Sequence, residues 1–300
     1  MRILMSSYRL DYSGVPTYTW TVMRELQRRG HEVRVYAPEG GRFAHAFPWS
    51  TEPPRNWRPD RILAQHTPCA YALREAFPTQ PITYICHGVL PDIDQPPIDA
   101  SITQWVSINE QVTAHLVSCG VPAERIVLIR NLIDTDHYYP LRVPLRETPQ
   151  VLFVSNYKKW LNYGRLSKAC AALGWSLHAV GSPYHQSRDM VRDMNNADLI
   201  VSWGRGILEA MSCGRAVCSL DKSPPAGDGY LDEVGYYHSR THNFSHFVSG
   251  DCRYENMHVE LIIEELRRYA PMDGVRNRHL IETYHDVRDG VDALLHASSQ

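Results

Sequence analysis

Short apolar runs alternate with amphipathic segments along the first half of the chain. The apolar runs are short enough for buried strands, and the segments between them carry apolar residues at helical spacing. A segment at 38–60, rich in Gly, Pro, Arg and aromatic residues, has no period and is predicted to be a long loop that contacts a substrate. The predicted strands lie at 2–6, 33–38, 61–67, 82–88, 105–108 and 125–130, and the predicted helices at 17–29, 70–76 and 109–118.

A second alternating series follows a proline-rich segment at 140–149, which is the predicted linker. Two such series predict two Rossmann-like α/β domains, at 1–140 and 150–275, followed by an amphipathic C-terminal helix within 276–300. The absence of a repeat of about 20 to 50 residues excludes a solenoid. In this half the predicted strands lie at 151–156, 176–181 and 199–201, and the predicted helices at 163–173, 186–195, 257–269 and 275–297.

The most informative stretch of the chain is 198–217. It reads as a strand at 199–201, a Gly-Arg-Gly turn at 204–206 and a helix that continues from Ile207. This arrangement offers backbone N–H groups and the positive end of a helix dipole to an anion. Glu209 is expected in the first helical turn, where it can accept hydrogen bonds from sugar hydroxyls. The alternative is an ordinary strand–helix turn that binds nothing.

Three strings in the sequence carry a family resemblance. LEAMSCGRAV, which begins at Leu208, resembles the LEAMAxGxPVV signature of family-4 retaining glycosyltransferases with the GT-B fold. SGVPTYTWTVMRELQRRGHEVRVYAP, from Ser13, and GVPAERIVLIRNLIDTDHYYP, from Gly120, resemble the opening and the hinge strings of the same family. The resemblance implies an α/β chain of the GT-B class, with two facing Rossmann-like domains and a C-terminal helix that crosses back to the first.

The resemblance also implies an activity and a donor site. The activity is transfer of a sugar from a nucleoside-diphosphate donor to an acceptor hydroxyl, with retention of configuration and without a metal. The donor, linked to UDP, GDP or ADP, is a substrate, so no cofactor is expected. In the family the glycine turn lies at the donor phosphates, and the glutamate that matches Glu209 binds the ribose. The implied donor-binding residues are Gly14, Gly204, Arg205, Gly206, Ile207, Leu208 and Glu209.

Three residues are candidates for catalysis: His87, Lys158 and Lys159. His87 ends a predicted strand, and the carboxyl ends of strands in open α/β sheets face the ligand crevice. In the family a histidine there lies close to the transferred sugar; the alternative is a purely structural histidine. The two lysines follow the first strand of the second domain, where fixed cations would stabilise the diphosphate leaving group. The family's GRxxxxKG spacing is absent here, which leaves exposed loop lysines as the alternative and Arg165 as a second candidate.

One departure from the family pattern bears on activity. The family has two glutamates eight positions apart, and counting back from Glu209 reaches Val201. Backbone groups or Ser202 must then take over the role of the first glutamate, or the role is lost. A catalytically impaired nucleotide-sugar-binding protein therefore stays open as an alternative. A nucleotide-sugar epimerase also stays open, but it needs acid/base carboxylates that the sequence does not identify.

Composition limits the binding partners and the cellular location that can be expected for the protein. The 300 residues carry a formal net charge of −2, which gives no support to a nucleic-acid acceptor, the third alternative. No segment resembles a signal peptide or a transmembrane helix, and the seven cysteines form no CxxC pair, so we expect free buried thiols in a cytoplasmic protein.

A histidine series is the remaining motif. His238, His242 and His246 are spaced by four, which on one helix would align them as metal ligands. Their segment, YYHSRTHNFSHF, resembles a loop more than a helix. The sequence therefore predicts no metal site.

Overall fold

The computed structural model of the chain describes residues 1–90, 92–141, 146–156, 160–181, 186–221, 226–245 and 252–298. The chain divides into two compact units: unit 1 is formed by residues 1–134 with 285–300, and unit 2 by residues 135–284. Each unit is built on its own largely parallel sheet.

Unit 1 contains a seven-stranded sheet in which every pair of neighbouring strands is parallel. In chain order its strands are β1 (Arg2–Ser6), β2 (Glu32–Tyr36), β3 (Trp49–Ser50), β4 (Arg61–Gln65), β5 (Ile82–Cys86), β6 (Ile102–Ser107) and β7 (Ile126–Leu128). The spatial order β3-β2-β1-β4-β5-β6-β7 reverses between β1 and β4. Ligands of open α/β sheets bind outside the carboxyl ends of the strands at such a switch point.

The first helices of unit 1 are α1 (Gly14–Arg28), α2 (Thr67–Ala76) and α3 (Glu110–Ser118). Helix α1 begins three residues before its predicted start because Pro16 lies in its first turn, where the missing N–H breaks no helical hydrogen bond. Gly14 is consequently the first residue of the helix and not part of the preceding loop. The predicted loop at 38–60 is largely irregular, although it contains β3.

Unit 2 contains a five-stranded sheet of order β12-β11-β10-β8-β9. Its strands are β8 (Gln150–Val154), β9 (Ser176–Val180), β10 (Leu199–Ser202), β11 (Ala216–Ser219) and β12 (Gly229–Tyr230). Only β12 is antiparallel to its neighbour among these described strands. The helices are α4 (Trp160–Leu173), α5 (Met190–Asn196), α6 (Arg205–Ser212), α7 (Glu233–Ser239), α8 (Val259–Leu266) and α9 (Asp273–Tyr284).

The prediction of a single helix at 275–297 is wrong, because two separate helices occupy this region. Helix α9 ends at Tyr284, and a tenth helix, α10 (Val287–Ala297), follows. At the break, Asp286 caps α10 by accepting the N–H of Arg288, and His285 is buried with its Nδ1 at 2.7 Å from the carbonyl oxygen of Asn131. Helix α10 belongs to unit 1 and packs against α1. Gly290 lets α10 also lie closely against Leu132, since a Cβ there would lie 2.1 Å from Leu132 Cδ2.

The α/β class with two Rossmann-like units is therefore confirmed. All seven cysteines have free thiols, and five of them are buried. None of the helices in the described parts of the chain combines the length and the hydropathy needed to cross a bilayer.

Candidate functional site

The glycine turn of unit 2 connects β10 to α6. Gly204 has φ +55° and ψ −135°, a backbone conformation that side chains with a Cβ rarely adopt. Its N–H donates to the carbonyl oxygen of Phe244 at 2.7 Å, so this donor is used by the protein itself. The N–H of Ile207 is also used within the protein, because it donates to the carbonyl oxygen of Gly204 at 3.1 Å. The backbone N–H groups that can face an anion are therefore those at the very start of α6.

Gly206 is required for a different reason: a side chain at this position would have no room. A Cβ on Gly206 would lie 2.4 Å from Ser202 Oγ, and that hydroxyl donates to the carbonyl oxygen of Val154 at 3.0 Å. The glycine thus lets the start of α6 lie directly against the end of β10. The first glycine of the motif sets the backbone turn, and the second brings the helix N-terminus to the carboxyl edge of the sheet.

Glu209 lies one turn inside α6, because the helix begins at Arg205; its predicted place in the first turn is wrong. Arg205 Nε donates to Glu209 Oε1 at 2.8 Å, and both residues are buried. The Tyr138 hydroxyl also donates to this carboxylate. Burial raises the pKa of Glu209, while Arg205 and Tyr138 act in the opposite direction.

The other residues of the predicted donor site lie in the core. The side chains of Ile207 and Leu208 are fully buried, so only their backbone can contact a ligand. Val201 is also fully buried and belongs to the apolar core of unit 2. Ser202, the polar neighbour of Val201, directs its hydroxyl to a backbone carbonyl. Of the expected substitutes for the family's first glutamate, Ser202 is therefore already engaged within the protein, which leaves backbone groups or the loss of that role.

His87 directly follows β5 at the carboxyl edge of the unit 1 sheet. Its Nε2 lies 2.7 Å from Gln65 Oε1, and the edge of its ring packs against Tyr18. The Gln65 amide nitrogen donates to the carbonyl oxygen of Ser6 and to Thr19 Oγ1, which fixes the amide orientation. Gln65 Oε1 must then accept, and His87 Nε2 carries the proton. The histidine is held in one orientation and one tautomer.

The remaining predicted site residues are Gly14, the two lysines at 158 and 159, and Arg165. A Cβ on Gly14 would meet no atom within 4 Å, so the space beside the start of α1 is open. Lys158 and Lys159 lie outside the described residues. Arg165, the second candidate for a phosphate contact, donates to Asn256 Oδ1 at 2.7 Å and to the carbonyl oxygen of Met257 at 2.9 Å.

Two titratable residues at the edge of the unit 1 sheet, one buried and one partly buried, were missed by the sequence reasoning. His66 follows β4 with φ +64°, an uncommon conformation for a residue with a side chain, although the sequence predicted a strand through this position. Its Nδ1 accepts the N–H of Tyr8 at 3.0 Å, and its Nε2 lies 3.8 Å from Asp94 Oδ1. Burial lowers the pKa of His66 to about 4 and raises that of Asp94 to about 7.

A cluster that could hold a metal lies in unit 2. His238 and His242 come together with Asp228, which the sequence reasoning did not consider. The helix α7 and the 3₁₀ turn that follows it at Arg240–His242 bring the two histidines to one side, although this segment was predicted to be a loop. His246 lies outside the described residues.

The comparisons with known proteins concern the fold. No family model and no curated protein matches the sequence. A structure of HepE from Anabaena in complex with UDP and glucose is 14% identical over 100% of this chain and 99% of that chain, with a TM-score of 0.72. Sucrose-phosphate synthase from Thermosynechococcus elongatus is 11% identical over 98% and 97% of the two chains, with a TM-score of 0.66.

An enzyme of another reaction class is also similar. UDP-GlcNAc 2-epimerase from Neisseria meningitidis, bound to UDP-GlcNAc, is 13% identical over 99% of both chains, with a TM-score of 0.60. At these identities the likeness establishes architecture and not activity. The predicted fold is confirmed: the chain has the GT-B fold.

Proposed function

We propose that the chain is a retaining glycosyltransferase that moves a sugar from a nucleoside-diphosphate donor to an acceptor hydroxyl without a catalytic metal. The observation that carries the proposal is the glycine turn of unit 2, where the helix N-terminus itself bears Arg205, paired in the protein interior with Glu209 one turn further along. The GT-B fold shared with HepE, whose structure contains UDP and glucose, supports the same kind of donor.

The donor diphosphate is assigned to the first turn of α6. Backbone N–H groups and the helix dipole stabilise negative charge there, and this charge grows as the glycosidic bond breaks. Arg205 adds a fixed positive charge within the same turn. Lys158 and Lys159 are proposed as further phosphate contacts, because they follow the strand that opens the unit 2 sheet.

The ribose is assigned to Glu209. A carboxylate can accept about four hydrogen bonds, of which Arg205 and Tyr138 supply two. Two acceptor positions therefore match the two hydroxyls of a ribose. Burial raises the pKa of Glu209, and the positive charge of Arg205 opposes that rise, so Arg205 favours the ionised form, which can accept both hydroxyls.

The acceptor is assigned to unit 1, at the open space beside Gly14 and at His87. The fixed ring of His87 can orient a sugar or acceptor hydroxyl, which lowers the entropic part of the barrier.

A second candidate function is donor binding without transfer, and Val201 favours it. An apolar residue occupies the position of the family's first glutamate, and its neighbour's hydroxyl is engaged with the backbone. This candidate predicts donor affinity with no consumption of sugar nucleotide in the presence of any acceptor.

Calorimetric titration with UDP, GDP and ADP tests the donor site. We expect one nucleotide to bind, and Glu209→Gln to weaken its binding about 10- to 100-fold, equivalent to about 1.4–2.7 kcal/mol. Glu260→Gln, at an exposed position in α8, is the matched control and should bind as the wild type does. Equal affinity of wild type and Glu209→Gln would contradict the assignment.

Turnover of the matching sugar nucleotide then separates the candidates. Product analysis distinguishes a transferred sugar from an epimerised donor, and complete absence of turnover would favour the binding protein.

A further inference from the structure

The cluster of Asp228, His238 and His242 combines donor types that transition metals bind. One ligand atom from each residue can be chosen so that all lie within 4.8 Å of one another. His242 Nε2 lies 3.3 Å from Asp228 Oδ2, and His238 Nε2 lies 3.8 Å from Asp228 Oδ1. Asp228 and His242 are buried, whereas the side chain of His238 is half exposed.

The hydrogen bonds around His242 indicate which ring nitrogen carries a proton. The Thr241 hydroxyl donates its proton to the carbonyl oxygen of His238 at 2.7 Å. It can therefore only accept from His242 Nδ1, which lies 3.3 Å away, so Nδ1 carries a hydrogen. In the neutral ring, the lone pair of Nε2 then faces the carboxylate of Asp228. Two lone pairs at this distance repel each other unless a cation lies between them.

That cation is either a proton or a metal ion, and the second histidine favours the metal. A proton on His242 would serve only the contact between His242 and Asp228, whereas a metal ion would also use His238, whose ring centroid lies 5.2 Å from that of His242. One divalent ion can bind all three groups at once. Ligand atoms of tetrahedral zinc lie about 3.3 Å apart, given bonds of about 2.0 Å. The distances of 3.3 and 3.8 Å to the aspartate are near this value, and the largest separation within the set, at most 4.8 Å, has to shorten when an ion binds.

Outer contacts hold the carboxylate and one ring in place. Asp228 Oδ1 accepts the N–H of Arg253 at 3.0 Å, and its Oδ2 accepts the hydroxyl of Ser239. The Thr241 hydroxyl holds the ring of His242 by accepting a hydrogen bond from its Nδ1. Hydrogen bonds of this kind orient the ligands in established metal sites.

We propose that Asp228, His238 and His242 bind a divalent transition ion of the zinc type, with water in the fourth position. The site is a structural one next to the glycine turn. Ser239, between the two histidines, accepts the N–H of Phe244, and the carbonyl oxygen of Phe244 accepts the N–H of Gly204. Asn243 and Phe244 both have positive φ, so the segment that the ion stabilises is a strained one.

Cobalt(II) titration followed by visible absorption tests the site without any nucleotide, so its outcome is independent of the proposed function. We expect one equivalent of Co²⁺ to bind with the intense absorption of four-coordinate cobalt, and excess Zn²⁺ to displace it. His238→Gln, at a half-exposed position, should bind Co²⁺ more than tenfold more weakly. His279→Gln, which removes an exposed imidazole from α9, is the matched control and should leave binding unchanged.

Thr241→Val provides a second test, because it keeps all three ligands and removes only the acceptor for His242 Nδ1. We expect it to bind Co²⁺ about 10- to 100-fold more weakly than the wild type. Absence of Co²⁺ binding in the wild type, or equal binding in the wild type and His238→Gln, would overturn the proposal in favour of a protonated histidine–aspartate pair.

The link to the donor site rests on the proposed function and has a test of its own. Titration of UDP with and without one equivalent of Zn²⁺ should show tighter binding with the ion in the wild type and no difference in His238→Gln. Cobalt binding without an effect on UDP would retain the metal site and remove its coupling to the glycine turn.

Discussion

Substitution of Gly206 by alanine tests whether close packing requires the second glycine of the turn. The new Cβ would lie 2.4 Å from Ser202 Oγ, closer than the roughly 3 Å at which non-bonded atoms meet. The hydroxyl must rotate away and lose its hydrogen bond to Val154, which is worth about 1 kcal/mol. Overpacking of a tight site adds about 1–3 kcal/mol, and the higher helix propensity of alanine offsets at most about 1 kcal/mol.

We therefore expect Gly206→Ala to destabilise the protein by about 1–3 kcal/mol. In a Ser202→Ala background the sign should reverse. The nearest remaining atom is then Ser202 Cβ at 3.4 Å, an ordinary contact, and the propensity gain of up to about 1 kcal/mol remains.

Urea unfolding of the four proteins, followed by circular dichroism, gives this double-mutant cycle. UDP titration of the same set shows whether the displaced helix start also weakens donor binding. A Gly206→Ala protein as stable as the wild type, or an equal cost in both backgrounds, would refute the packing argument.

Three further predictions concern other parts of the molecule. Tyr138→Phe removes a hydrogen-bond donor from the buried carboxylate of Glu209 and, on the proposed assignment of the ribose to Glu209, should weaken UDP binding severalfold in the same titration. Gly290→Ala places a Cβ 2.1 Å from Leu132 Cδ2 and should destabilise by about 1–3 kcal/mol in urea, whereas Gly164→Ala in α4, with no atom within 4 Å, should stabilise. Because Asp94 stays protonated in the folded protein up to about pH 7 while the unfolded chain ionises near pH 4, its contribution to stability falls as pH rises through this window. The free energy of unfolding of Asp94→Asn should not fall in this way. Measured by urea unfolding, it should rise relative to that of the wild type by up to about 3 kcal/mol between about pH 5 and 8.

The order of most strands and helices was predictable because it depends on local apolar patterns. The Gly-Arg-Gly turn was recognisable for the same reason, since strand, glycine and helix follow one another within 199–212. The strands β3, β11 and β12 and the helix α7 were not predicted. The start of α6 was less certain from sequence, because Arg205 and Gly206 give no apolar signal. The i, i+4 spacing of Arg205 and Glu209 on that helix was a local signal for their ion pair that the sequence reasoning did not use.

Contacts between distant parts of the sequence were not predictable in this way. Tyr138 reaches Glu209 across 71 positions (209 − 138), and Asp94 approaches His66 only because a loop folds back over the sheet edge. Asp228 meets the two histidines for the same reason, and the histidine spacing alone gave no partner. The broken C-terminal helix shows a further limit: its apolar stripe continues past the break, and the buried contact of His285 with Asn131 leaves no trace in the pattern.

A crystal structure of the chain grown with UDP tests the central claim most directly. We predict diphosphate oxygens about 3 Å from the backbone N–H groups of the first turn of α6, and ribose hydroxyls on the carboxylate of Glu209. UDP bound at any other place, or a glycine turn open to solvent in the lattice that binds no UDP at saturating concentration, would contradict the account.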